Sequence, residues 1–340
     1  MKLRRQRGVA VITALLLTTL AVTIVASLFW QQQVQVRSME NQRLQLQTRW
    51  ILRGALDLSR LILNQDFSDS PNFTQINGVW ATPLEETRLD DYIERERREG
   101  ESFNATLSGR MTDAQSRYNL ANLAVNRKVD TDQLAVFQRL LTNLKLDAAL
   151  AQSVANLVAN AQKAAVTTTT GSGTGTSGTS GTGGGTGTTT MQNPTQSSNG
   201  AEPMDLVRVE DLLAVSGFTP PGIEQLRDFV IILPQGSTKV NVNTAPAELI
   251  AALVPNLPLS DAAAMVNNRN RGAYYRDTTD FTKQPQMSAA ARTAAVPVDV
   301  RSNYFLAFSR VRLDRAALDT QSLLMRQGAT PTSVVWIREN

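Results

Sequence analysis

The chain has 340 residues, 42% hydrophobic and 19% charged, enough to bury one large core or two small ones. It contains no cysteine and no histidine, which excludes thiol chemistry, disulfides and metal sites built on those ligands. The net charge of +4 points at first to an acidic partner, but Lys2, Arg4, Arg5 and Arg7 all precede Gly8. Without these four, the 34 Lys and Arg become 30 and equal the 30 Asp and Glu, so the body gives no general basis for binding nucleic acid.

Val9 to Trp30 runs for 22 residues without a charge, about 33 Å of helix at ~1.5 Å per residue, which matches a bilayer core. Thr13, Thr18, Thr19 and Thr23 are tolerable there because a helix accepts hydroxyls on its own carbonyls. The basic residues in front orient the N-terminus to the cytoplasm. A cleaved secretory signal, a plain signal anchor and a leader cut after Gly8 all compete for this segment. The first is disfavoured by the long apolar run and by Val25-Ala26-Ser27, a poor small-x-small site. The third takes Arg7-Gly8-Val9 as the junction between a short basic leader and the helix, similar to the sites cut by prepilin peptidases. In most chains cut that way the fifth residue after the cut is Glu, whereas here it is Thr13.

Gln31 to Asn64 has no proline and one glycine, Gly54, and a rough helical stripe from Val34 to Ile62, so one continuous helix is expected over 9–64. Phe67 to Gly78 carries turn chemistry. Leu84 to Arg98 is charged and reads as a short surface helix, and Ser102 to Met111 alternates as a strand. Thr131 to Lys163 has two apolar helical faces, one around Phe137 and Leu141 and one around Val154 and Val158. Thr167 to Thr190 holds only Thr, Gly and Ser and reads as a disordered loop, with helical pattern resuming at Val207–Val215 and Pro221–Phe229. In Val240-Asn-Val-Asn-Thr-Ala-Pro246, Thr244 is the expected N-cap of a helix with Pro246 in its first turn and Glu248 near its positive end. A second helix is expected from Ser260 to about Arg269. Tyr304–Val311, Ser322–Met325 and Val334–Ile337 form strand-like runs, giving a sheet of three or four strands on the N-terminal helix.

In this order the pieces resemble the K-type minor pseudopilins of the type II secretion system. The residues that carry the resemblance are Gly8/Val9, Thr13 in place of Glu, Asp113-x-x-x-Arg-Tyr-Asn-Leu120 and Val240-Asn-Val-Asn-Thr-Ala-Pro246. The resemblance implies an α+β, pilin-like fold: a long N-terminal helix packed on a small antiparallel sheet, with a large inserted α-helical domain. It divides the chain into a leader at 1–8, an anchor and spine helix at 9–64, a body at 65–122 and 282–340, and an insertion at 123–281 containing the loop at 167–190. It implies a non-catalytic subunit at the tip of a short pseudopilus, and it makes sense of Thr13. The Glu pairs with the α-amino group of a subunit above, and a tip subunit has none. The implied partners are I-, J- and H-type minor pseudopilins, the major G-type pseudopilin, the prepilin peptidase and the inner membrane, with the body in the periplasm.

The family's insertion binds calcium, for which Glu202 and Asp205 are the candidate ligands here, although the usual acidic run is absent. Asp130/Asp132 and Glu210/Asp211 read as helix-start charges. A rival resemblance, from Val240 to Arg271, is to helix-hairpin-helix units of membrane-anchored DNA receptors. Its turn, Val254-Pro-Asn-Leu-Pro-Leu-Ser260, lacks the glycines whose amides hold a phosphate, and Arg269 and Arg271 supply some charge but the neutral body no wider patch.

Overall fold

In a computed structural model, residues 7–91, 104–162, 206–234, 237–288, 296–328 and 330–339 are described. The elements in chain order are α1 (Arg7–Asp69), β1 (Leu84–Arg88), β2 (Ala105–Asp113), β3 (Tyr118–Asn119), β4 (Ala124–Val125), β5 (Lys128–Val129), α2 (Thr131–Asn143) and α3 (Leu150–Ala161). They continue with α4 (Pro220–Leu226), β6 (Val230–Ile231), β7 (Val240–Asn241), α5 (Ala247–Leu253), α6 (Leu259–Asn270) and α7 (Thr278–Thr282). The last four are β8 (Val298–Asp299), β9 (Tyr304–Leu313), β10 (Ala316–Met325) and β11 (Ser333–Glu339). They form two compact units. The first comprises Met1–Pro71, Ile76–Asp113 and Asn303–Asn340, the second Asn72–Gln75 and Ala114–Ser302.

In the first unit α1 is a single helix of 63 residues, about 95 Å long at ~1.5 Å per residue. No proline interrupts it, so its hydrogen-bond ladder has no break. Its second half packs on an antiparallel sheet of order β1-β2-β9-β10-β11. Leu52, Ala55, Leu56 and Leu63 recur at helical spacing and meet Phe305, Ala307 and Val311, which alternate along β9, together with Trp80, Leu107 and Leu324. Trp80 sets its edge against Phe305, centroids 5.2 Å apart. The sheet has five strands rather than three or four, because the charged stretch after Leu84 is not a helix as expected. Leu84–Arg88 pairs with Thr106–Gly109 of β2, and that edge pairing decides its conformation where its own charge pattern could not. Residues 92–98 of the stretch lie outside the described residues.

An ion pair is buried in this unit. Asp66 of α1 accepts from Arg326 Nη1 at 2.8 Å, and the side chains are 9% and 3% exposed. The same Nη1 donates to the Leu63 carbonyl, and the guanidinium lies over the Phe305 and Phe67 rings at 4.8 and 5.6 Å. Burial pushes the Asp66 carboxyl above its usual range, against the pull of Arg326.

The second unit is mostly helical. Phe137, Leu140 and Leu141 of α2, Val154, Ala155 and Val158 of α3, and Leu249–Leu253 of α5 form one core, in which Tyr118 stacks on Phe137 at 5.8 Å. β4 and β5 make a hairpin whose central residues, Asn126 and Arg127, have φ of 52° and 63°, as a two-residue turn of this hand requires. Short parallel pairs, β3 with β6 and β7 with β8, close the unit. They bring 114–122 and 282–302 into it, so the limits at 123 and 281 that the resemblance implies fall inside the observed unit. The sequence's acidic pairs are helix starts: Asp130 caps α2, and Asp211 accepts the Val207 and Arg208 amides.

Replacing Arg326 with Met leaves Asp66 buried without its cation. We expect a loss of about 3–5 kcal/mol in urea unfolding of the detergent-solubilised chain, with partial recovery when Asp66→Leu is added.

Candidate functional site

Gly8 and Val9, the junction expected from the sequence, lie at the start of α1, and Thr13 lies on exposed helix surface after it. The Thr18, Thr19 and Thr23 hydroxyls donate to the carbonyls of Leu15, Leu16 and Leu20 at 2.8–3.0 Å. Their polar groups are therefore satisfied within the helix, as lipid demands. Leu15, Leu17 and Val22 are 60%, 65% and 67% exposed. By length and composition this helix can cross a membrane.

The two sequence motifs of the body are both buried. In the first, Asn119 Oδ1 accepts the amides of Ala121 and Leu233, and its Nδ2 donates to Thr238 Oγ1. Asn122 grips the Thr238 backbone from both sides, donating to its carbonyl at 2.7 Å and accepting its amide at 2.9 Å. Tyr118 donates its hydroxyl to the Gln133 carbonyl, and burial pushes its phenol up. In the second motif, Asn241 and Asn243 are wholly buried. Asn241 donates to the Thr74 carbonyl and to Ser302 Oγ and accepts the Asn243 amide. Asn243 donates to the Tyr275 carbonyl and accepts its amide, both at 2.8 Å, imitating a strand neighbour. Phe73, next to Thr74, stacks on Tyr274 at 4.8 Å.

Thr244 is not the helix cap. Its amide and hydroxyl both turn back to the Asn241 carbonyl, and α5 begins after Pro246, with Glu248 in its first turn as expected. The turn closed on Asn241 takes the residue that propensity assigned to the cap.

α5 and α6 form the helix pair that prompted comparison with DNA-binding hairpins, and the geometry does not favour that reading. Val254 and Leu257 of the connecting turn are buried in the core. The Val254 amide donates to Ile250 and the Leu257 amide to Val254, so neither is presented to a phosphate. Arg269 is 4% exposed and turned inward, donating through Nη1 to the carbonyls of Val242 and Ala245 at 2.8 and 2.7 Å. Burial lowers its guanidinium pKa, and burial raises the phenol of nearby Tyr275, with Arg269 pulling it back down. Arg269 is a brace for the Asn-Val-Asn loop, a role that its place on a charged helix end did not signal.

Among the described residues, no three His, Cys, Asp or Glu side chains gather as a metal site. Glu202 and Asp205, the calcium candidates from the sequence, lie outside the described residues.

Family models described as "Type II secretion system (T2SS), protein K" match residues 116–235 and 240–301, together more than half of the chain. The chain belongs to the protein K family of the type II secretion system. It is 28% identical over 337 residues to the protein K of Klebsiella pneumoniae, covering 96% of this chain and 94% of that one. It is 26% identical to that of Pseudomonas aeruginosa, covering 91% and 86%. Its fold is similar to that of a chain in the GspK-GspI-GspJ complex from the enterotoxigenic Escherichia coli Type 2 Secretion System, with a TM-score of 0.64, 18% identity, and coverage of 89% of this chain and 99% of that one. The α+β fold with its long N-terminal helix is thus a minor pseudopilin fold, and both buried asparagine motifs lie inside the matched regions.

Asn243→Ala removes both bonds to Tyr275 and leaves that backbone unpaired. We expect about 2–3 kcal/mol of destabilisation in urea unfolding, with protease cleavage appearing first within Ala114–Ser302.

Proposed function

We propose that this chain is the subunit at the tip of the type II secretion pseudopilus, where it initiates assembly and supports export of folded proteins across the outer membrane without catalysing a reaction. The observation that carries this reading is the insertion of Ala114–Ser302 between β2 and β9, two strands that pair directly. An insertion larger than the α1-and-sheet body is incompatible with close helical repetition of the subunit but not with a single copy at an end. Thr13 supports the same position. A carboxylate in lipid is expensive without a partner, and a subunit with no neighbour above has none to offer.

In this reading the N-terminus is cytoplasmic, α1 crosses the inner membrane once, and both units are periplasmic. The prepilin peptidase cuts between Gly8 and Val9. The I-type and J-type minor pseudopilins bind directly, as the complex containing the similar fold suggests, with an H-type subunit and the major G-type pseudopilin below them. Force for assembly comes from a cytoplasmic ATPase.

Two measurements test this. Mass spectrometry of the mature chain from cells with the peptidase is expected to find N-methylated Val9 at the N-terminus, whereas an intact Met1 reduces the segment to a signal anchor. Co-expression with I- and J-type subunits is expected to yield a stable three-part complex, and its absence counts against tip placement.

A further inference from the structure

Between the end of α1 and the start of β1 the chain passes through Asn77-Gly78-Val79-Trp80. Packing fixes the glycine of this Asn-Gly pair. Its φ of −63° is open to any residue, but a methyl group added there would lie 2.5 Å from Trp80 Nε1 and 2.8 Å from Asp66 Oδ1. Trp80 is buried with its edge on Phe305, and Asp66 is the carboxylate buried against Arg326. Only a residue without Cβ lets those two side chains close over this point.

Asn77 is in the opposite situation. It is exposed, in a turn, and its carboxamide makes no hydrogen bond among the described residues. The Gly78 carbonyl accepts the Ala81 amide at 2.9 Å, but the Gly78 amide donates to nothing among the described residues. A backbone nitrogen that follows an asparagine is a nucleophile toward the side-chain carbonyl carbon one residue back. A side chain on the following residue hinders that attack, and a hydrogen bond from its amide holds the nitrogen away. Gly78 has neither protection. Two other exposed asparagines have both. The Arg127 amide after Asn126 donates to Gln162 Oε1 at 3.0 Å, and the Leu257 amide after Asn256 donates to the Val254 carbonyl. Asn199-Gly200, the second Asn-Gly pair of the chain, lies outside the described residues.

We propose that Asn77 is a site of spontaneous covalent modification that ends in isoaspartate. The Gly78 nitrogen bonds to Asn77 Cγ, the Cγ–Nδ2 bond breaks, and ammonia leaves with the proton that the Gly78 nitrogen gives up, closing a succinimide ring. Water then adds to one ring carbonyl and breaks its bond to the nitrogen. Opening at Cγ gives aspartate. Opening at the backbone carbonyl carbon gives isoaspartate, whose main chain runs through the former side chain. Water is the only other reactant, and nothing is oxidised or reduced. Isoaspartate inserts one methylene into the main chain directly before Gly78, which moves the glycine off the point where Trp80 and Asp66 meet. An exposed turn thereby acts on the buried contacts that hold the end of α1 to the sheet, and the stability of that junction depends on the age of the molecule.

The full chain in detergent is held at mildly alkaline pH in water enriched with heavy oxygen, and its peptides are mapped over time. Asn77 is expected to become a mixture of aspartate and isoaspartate carrying heavy oxygen, faster than Asn126 and Asn256 by on the order of tenfold or more. Methyl transfer by an isoaspartyl methyltransferase identifies the isoaspartate. The aged chain is expected to melt roughly 2–4 °C below the fresh one. Asn77→Gln is expected to resist both changes. Asn77→Asp is expected to melt with the fresh chain, which assigns the loss to the rerouted main chain rather than to the new charge. Conversion of Asn77 no faster than that of Asn126 and Asn256 overturns the proposal. Conversion without a fall in melting temperature relative to Asn77→Gln held alongside overturns the link to the Trp80–Asp66 contact.

Discussion

The pairing of β2 with β9 is the constraint on which the rest of the molecule depends. The two strands run antiparallel in unbroken register from Ala105 opposite Leu313 to Asp113 opposite Phe305. The chain leaves the sheet at Asp113 and re-enters it at Tyr304, so the two ends of a very long excursion are fixed as neighbours by the ladder itself. The insertion is thereby free to fold around its own core. Its asparagines do within it what a sheet would do elsewhere: Asn119, Asn122 and Asn243 each offer a donor and an acceptor to segments that have no strand beside them.

α1 meets two solvents with one backbone. Its first half has apolar side chains on all sides and threonines bonded back to the helix, which suits hydrocarbon. Its second half is amphipathic, with Leu52, Leu56 and Leu63 inward and arginines outward. The Asp66–Arg326 pair ties the end of the helix to the segment after β10, where a purely apolar contact would leave the register along the helix less defined.

The strongly periodic parts of this fold were legible in the sequence: the long apolar segment, the spine helix, both insert helices, and β9 as a strand-like run from Tyr304 to Val311, although the face it turns to α1 is that of Phe305 and Ala307. Three kinds of feature were not. Strand β1 has the composition of a surface helix and is made a strand by β2. The true ends of the insertion are set by parallel pairs two residues long, at Tyr118 and Val240, which leave no pattern. Arg269 looks like a surface cation by its sequence neighbours and becomes a buried brace only when α6 packs behind the Val242–Ala245 loop. The Asn-Val-Asn motif was legible as a signature but not in its role, because a buried asparagine that replaces a strand and one that holds a ligand look alike in sequence.

The shared exit and entry point of the insertion has a mechanical consequence. Tension applied along α1 passes through the helix–sheet core and the ladder that joins β2 to β9, and that path is complete without the 114–302 segment. Within the first unit the β2–β9 ladder carries that pull directly from strand to strand.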